Sequence, residues 1–263
     1  RREARQDPSG ALKRKLANIK KQVAPRAVDR IITDVYRDLH VRQELCLVEH
    51  LSKAYGEQSL FENLSFEVQR GDRFAVVGAN GSGKTTLLRV LVGDEPPDSG
   101  QIVWAKNCHF VYYNQILADL DPNDTVTHAV NIFGGGAGLA YGASRKKVNH
   151  FLGLMQFSEM DLGQPIGTLS GGQRARVALA QTLLSGASVL ILDEPTNHLD
   201  VTSTQVMERA LAHFPGAVIV VSPDRFFIDK VATRLLVVEG DGILSEVAGN
   251  WTIWQAGLVG ADE

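Results

Sequence analysis

The chain has 263 residues, 44% hydrophobic and 22% charged, which is enough apolar material for one large domain with or without an appendage. No apolar run approaches the roughly 18 residues that a membrane span needs, and Cys46 and Cys108 are too few for a disulfide framework. The formal net charge of −3 hides an asymmetry, because residues 1–45 carry 12 Lys and Arg against 6 Asp and Glu, while the remainder carries 15 against 24. A basic arm on an acidic domain suits an anionic partner such as RNA or DNA; the alternative is a solvated helical linker. Arg1 opens the sequence with no apolar signal segment behind it, so the expectation is a cytoplasmic chain or a piece of a longer one.

In chain order, ALKRKLANIKKQV at 11–23 predicts a short basic helix, which Pro25 interrupts. From Arg26 a second helix is expected, because Val28, Ile31, Ile32, Val35 and Leu39 fall on one face. From Leu45 the texture changes: LCLVEHLSKAY, LFENLSFEV and RFAVVG read as strands separated by tight turns. A helix should follow Lys84 and stop near Gly93, with QIVWA and HFVYYNQ as further strands. Residues 122–165 read as a less regular helical insert, whose GGGAG at 134–138 suits a surface loop. Then come a helix from Gly171, the strand VLILDE, a helix from about Thr202, the strand AVIVVS and a short helix from Asp224. RLLVVEG and ILSEV are expected to finish the domain. This alternation predicts an α/β fold with a mostly parallel sheet covered by helices.

Between the strand FAVVG and the next helix lies Gly78-Ala79-Asn80-Gly81-Ser82-Gly83-Lys84-Thr85-Thr86, the P-loop pattern G-x4-GK[ST]. Glycines let backbone N–H groups turn inward around phosphate oxygens. Lys84 adds a positive charge at the β- and γ-phosphates, the Thr85 hydroxyl can ligate Mg²⁺, and the helix N-terminus favours the anion. The run Val189 to Leu192 ends in Asp193 and Glu194, at the C-terminal end of a strand, where α/β proteins place ligands. Beside a P-loop, Asp193 suits the Mg²⁺ shell and Glu194 suits polarisation of the attacking water; alone, such a pair could simply cap a helix.

Leu169-Ser170-Gly171-Gly172-Gln173 precedes a helix and by itself could be a glycine-rich cap. Together with the P-loop, it resembles the signature of the ATP-binding-cassette superfamily. The resemblance covers about residues 45–255. It implies a cassette at 45–263 with an antiparallel β-subdomain and a helical subdomain at about 120–183, preceded by a basic helical linker at 1–44. It implies ATP and Mg²⁺ as cofactors, and closure of the signature, in trans, over ATP held by a second cassette. Gln115 resembles the glutamine that senses Mg²⁺ and water, alongside Thr85 and Asp193. Tyr55 resembles the aromatic that stacks on adenine.

Glu194-Pro195-Thr196 is followed by Asn197-His198-Leu199-Asp200, whereas transporter cassettes usually read Ser-Ala-Leu-Asp there. Thr-Asn-His-Leu-Asp resembles the ABC-F branch, tandem-cassette ATPases that act on ribosomes. The basic arm is then the end of a linker approaching tRNA and rRNA. With one P-loop and one signature, the chain resembles the C-terminal half of such a protein, its second cassette lying upstream or supplied by a homodimer. In that family the segment at 222–225 reads Ser-His-Asp-Arg; here Ser222, Asp224 and Arg225 match and Pro223 does not. Proline cannot donate a hydrogen bond to a γ-phosphate, so impaired ATP hydrolysis is expected. Two further readings stay open: an ATP-binding switch with little hydrolysis, and the nucleotide-binding subunit of a membrane transporter.

Overall fold

Alternation of side chains decides how the central sheet is covered. In this computed structural model, residues 25–36, 41–132, 145–197, 199–240 and 242–259 are described. Parallel strands β3 (Arg73–Gly78), β5 (Phe110–Tyr112), β6 (Val189–Asp193), β7 (Ala217–Val221) and β8 (Arg234–Gly240) run in the order β5-β6-β7-β3-β8. Antiparallel β9 (Ile243–Ala248) closes one edge against β8. Along β6 and β7, Leu190, Leu192, Val218 and Val220 join one hydrophobic cluster, and Val189, Ile191, Ile219 and Val221 join the other. Both faces are therefore apolar, as a sheet covered on both sides requires.

The second cluster is completed by α2 (Lys84–Val92) and by an antiparallel sheet of β1 (Glu44–Tyr55), β2 (Gln58–Gln69) and β4 (Ser99–Trp104), ordered β2-β1-β4. The first cluster is covered by helices: α1 (Pro25–Tyr36), α3 (Tyr113–Ala118), α4 (Val126–Ile132), α5 (Arg145–Leu154), α6 (Gly171–Leu184), α7 (Val201–His213) and α8 (Arg225–Val231). Pro25 begins α1 rather than merely breaking the chain, a position where its missing N–H is no loss. Of the expected α1 stripe, Val28, Ile31 and Ile32 are packing surface, while the Val35 side chain and Leu39 lie outside the described residues. Val28 and Ile32 are buried in the helical-side core, Tyr36 meets Phe214 edge-on at 5.4 Å, and Asp29 pairs with Arg209 at 3.4 Å. The segment expected as linker thus docks on the domain through this helix.

Two expectations need correcting. HFVYYNQ is not one strand: β5 stops at Tyr112, and Tyr113 begins α3. Among the described residues β5 is an edge strand paired with β6 alone, and the helical turn carries Tyr113 and Ile116 together into the core. Nor does ILSEV finish the domain, since α9 (Trp251–Val259) follows. Asn250 caps α9 by accepting from Ile253 N at 3.1 Å, and Arg225 lies over the Trp251 ring at 4.8 Å. The basic helix expected at 11–23 and the glycine-rich bend at 134–138 lie outside the described residues. Among the described residues no helix is long and apolar enough to cross a membrane.

Candidate functional site

The P-loop leaves the C-terminal end of central strand β3 and enters α2, so the helix N-terminus faces the loop interior. Two of its glycines are dictated by space and conformation. A Cβ at Gly78 would stand 2.6 Å from Val238 O. Gly83 caps α2 at φ 100°, and a Cβ there would stand 2.9 Å from Leu60 Cβ. Lys84 Nζ donates to Gly78 O at 3.0 Å and Ala79 O at 2.6 Å, holding the ammonium inside the loop. Burial depresses its pKa, while the carboxylates of Glu194 and Asp193 work the other way.

A cleft of about 390 Å³ is lined by Tyr55, Gln58, Asn80, Gly81, Gly83, Lys84, Thr85, Thr86 and Glu194, among others. A second, of about 520 Å³, is lined by Thr85, Tyr113, Asn114, Asp193, Glu194 and Asn197 with Leu117 and Ala118. Thr85 and Glu194 belong to both, so one continuous site runs from the exposed Tyr55 ring, past the P-loop, to the end of β6.

At that end Asp193 is 6% exposed, and its Oδ1 has no hydrogen-bond partner among the described residues. Burial raises its pKa and the neighbouring Glu194 adds to the rise; the Thr85 hydroxyl, Arg89 and Tyr112 oppose it. Ser82 Oγ in the P-loop is also buried without a partner. A buried, unpartnered polar atom costs about 1–3 kcal/mol. The Asp193 carboxylate and the Thr85 hydroxyl, which line the same cleft, form an oxygen donor pair of the kind a small divalent cation prefers.

Glu194 adopts φ 48°, the left-handed conformation that non-glycine residues rarely take. Its N–H donates to Val221 O at 2.8 Å, tying the turn to β7. Its exposed carboxylate accepts from Asn197 Nδ2 at 2.6 Å, and Asn197 N–H closes the turn on Glu194 O at 3.1 Å. Sequence reasoning assigned Asn197 only to the segment 197–200. The spacing of a carboxylate and an Asn three residues on, inside a turn, was the available signal. Arg89, one helical turn beyond Thr85 on α2, was missed for want of any motif.

The remaining sequence-predicted residues lie elsewhere. Gln115 is in the first turn of α3, whose neighbours Tyr113 and Asn114 line the second cleft; its side chain lies outside the described set. Leu169 is buried, whereas Ser170 and Gly171 are exposed, and no residue from Leu169 to Gln173 lines either cleft. Ser170 and Gln173 form a reciprocal capping box on α6: Gln173 N–H donates to Ser170 Oγ at 3.2 Å, and Ser170 N–H donates to Gln173 Oε1 at 2.8 Å. Leu199 packs on the core, Asp200 caps α7 and accepts from Gln156 Nε2 at 2.7 Å, and His198 lies outside the described residues. Pro223 is exposed just beyond β7, the strand paired with β6 so that Asp193 faces Val221, and it lines neither cleft. Beside it Asp224 N–H donates to Ser222 Oγ at 3.1 Å, and Asp224 caps α8.

A family model described as ABC transporter matches residues 61–197. The energy-dependent translational throttle protein EttA of Mycobacterium tuberculosis is 39% identical over 219 residues, covering 82% of this chain and 38% of that protein. The ATP-binding protein Uup of Caulobacter vibrioides is 38% identical over 202 residues, 77% of this chain and 33% of that protein. The chain thus matches 33–38% of the length of these relatives. Among solved structures, a dimeric ATP-binding cassette in a post-hydrolysis state, bound to ADP and Pi, superposes with a TM-score of 0.62 at 22% identity, covering 78% of this chain and 98% of that one. That likeness shows the shared fold.

Proposed function

From a chain that belongs to the ATP-binding-cassette family, in its ABC-F branch, we propose an ATP-binding and ATP-hydrolysing cassette that closes with a second cassette and acts on the ribosome in the cytoplasm. The observation that carries the catalytic part is the convergence of Lys84, Thr85, Asp193 and Glu194 on one continuous cleft. P-loop N–H groups and Lys84 bind the triphosphate, and the exposed ring of Tyr55 stacks on the base. Thr85, Asp193 and Gln115 would hold Mg²⁺, which supplies charge neutralisation at the phosphates when bound; the unpartnered Asp193 Oδ1 fits that role. Glu194, aimed by its left-handed backbone and by Asn197, polarises the attacking water.

Ser170 and Gly171, exposed and not lining their own chain's clefts, support closure of the signature over nucleotide held by a partner. That partner is a cassette upstream in a longer chain or a second copy of this one. The resemblance to a translational throttle protein and the basic character of residues 1–45 support ribosomal RNA or tRNA as the second partner. Pro223 favours a slow cycle, because the position beside β6 that could hold a γ-phosphate donor carries none.

Phosphate release by the chain alone, as a function of its concentration and of added partner half, tests this reading. The expectation is low turnover per molecule that rises steeply with either. A rate that is high and independent of concentration would reject closure in trans. Co-sedimentation with ribosomes tests the second half, and recovery with a membrane subunit instead would favour a transporter.

A further inference from the structure

Tyr55 ends β1 with its ring 50% exposed at the mouth of the phosphate cleft. Its hydroxyl is not left for a ligand, since it donates to Glu95 Oε1. The same oxygen lies 3.2 Å from Lys53 Nζ. Lys53 is 8% exposed and donates to Pro96 O at 2.9 Å, with its ammonium 5.5 Å from the centroid of the Tyr55 ring. Asp98 completes the cluster, its Oδ1 lying 3.5 Å from Lys53 Nζ and its Oδ2 accepting from Ala54 N–H at 2.7 Å. Burial works against the Lys53 ammonium, but hydrogen bonds and charges from Glu95 and Asp98 outweigh it and raise its pKa. The Tyr55 hydroxyl, and then Lys53, hold the Glu95 carboxyl below its usual range.

Glu95 is itself fixed at the end of the helix that begins in the P-loop. Gly93 closes α2 in the left-handed conformation, and the N–H groups of Asp94 and Glu95 both donate to Arg89 O, at 2.9 and 3.3 Å. Residues 93–98 therefore tie the far end of the phosphate-binding helix to the tip of β1.

We propose that Glu95, braced by Lys53, is a positioning residue for nucleotide binding, locking the Tyr55 ring in the pose that stacks on the nucleobase of a nucleoside triphosphate. The proposal rests on the reading of Tyr55 as the base platform. Side-chain χ1 has three staggered wells, so an untethered ring holds the stacking pose for roughly a third of the time, and apparent affinity falls by that fraction, about threefold. Ligands without a base are indifferent to the clamp.

Calorimetric titration of the full chain with MgATP and with inorganic tripolyphosphate tests it. Tyr55→Phe is expected to weaken MgATP binding about threefold and to leave tripolyphosphate unchanged; Glu95→Gln, whose amide oxygen can still accept from the hydroxyl but no longer pairs with Lys53, weakens MgATP binding less, and adds nothing on top of Tyr55→Phe. Equal weakening of tripolyphosphate would place the effect in the P-loop helix and overturn the proposal. Tyr55→Ala separates the two levels of argument. If it weakens MgATP while Glu95→Gln and Tyr55→Phe do not, the clamp is wrong and the platform stands; if Tyr55→Ala has no effect, the platform reading itself fails. Tyr55→Phe leaves the Lys53, Glu95 and Asp98 contacts in place, so it decides the matter should Glu95→Gln fail to fold.

Discussion

Replacing Pro223 by histidine is the most informative single change. Strand β7 pairs with β6 in a register that sets Val221 opposite Asp193, and Glu194 N–H donates to Val221 O at 2.8 Å. Residue 223 therefore lies just beyond the end of the neighbouring strand, two residues past the register partner of Asp193. It is exposed, its peptide bond is trans, and its neighbours Ser222 and Asp224 hold each other at 3.1 Å, so nothing in the turn requires proline. On the proposed reading, a histidine there would bring a ring N–H donor toward a γ-phosphate bound beside Glu194. One preorganised donor to developing charge is worth on the order of 10²–10³ in rate. Asn197 already holds the Glu194 carboxylate at 2.6 Å, so part of the positioning is in place without histidine. The expected gain therefore falls below that range, at least about tenfold, or about 1.4 kcal/mol of transition-state stabilisation. Steady-state phosphate release is measured with the partner cassette present, beside MgATP affinity, which should change less than about twofold because the P-loop supplies ground-state binding. Equal turnover of the two proteins would refute the argument and mean that Glu194, Gln115 and Asn197 suffice.

Three more perturbations follow from the same geometry. Lys84→Ala should weaken nucleotide binding in a filter or calorimetric assay, whereas Glu194→Gln should spare binding and trap a closed, ATP-loaded state visible as a stable dimer with the partner half; loss of binding in Glu194→Gln would contradict its assignment to the water. Ile32→Ala removes a fully buried side chain of α1 and should lower unfolding free energy by about 2–5 kcal/mol, read from a denaturant midpoint; an unchanged midpoint would mean that α1 does not dock in solution. Removing residues 1–24, but not α1, should weaken ribosome association and flatten its salt dependence while MgATP binding stays the same. Association that survives the truncation unchanged would make the arm a spacer only.

The strands and the motif helices were legible because their signals are local. Four apolar residues ending in Asp193 and Glu194 can be read as a buried parallel strand from composition alone, and a glycine-rich loop before a helix needs no tertiary information. What was misread depended on partners distant in sequence. HFVYY has strand composition, yet among the described residues β5 pairs with β6 alone, and Tyr113 and Ile116 are buried from a helical turn. The α9 helix is fixed by Asp229, whose Oδ1 accepts from Thr252 N–H at 2.8 Å, and by Arg225 over Trp251, neither visible as periodicity. In α1 the apolar stripe was readable, but the sequence could not say that its mate was α7 and Phe214 rather than another helix of the arm.

The site divides the same way. Motif positions named the groups proposed to meet phosphate, but not how each group is held. That Glu194 takes φ 48° follows from where the turn must go: its N–H has to reach Val221 O while its side chain swings toward Asn197. A left-handed glutamate costs roughly 1–2 kcal/mol, and it persists here because three hydrogen bonds at 2.8, 3.1 and 2.6 Å over-determine the turn. Glycine or asparagine would adopt that backbone more readily, but neither presents a carboxylate. A strained residue kept at the one place where its side chain faces the cleft carrying Asp193 and Thr85 argues that the turn is built to aim an acid. It also explains why Asn197, read from sequence only as the start of a connecting segment, belongs with the machinery that positions it.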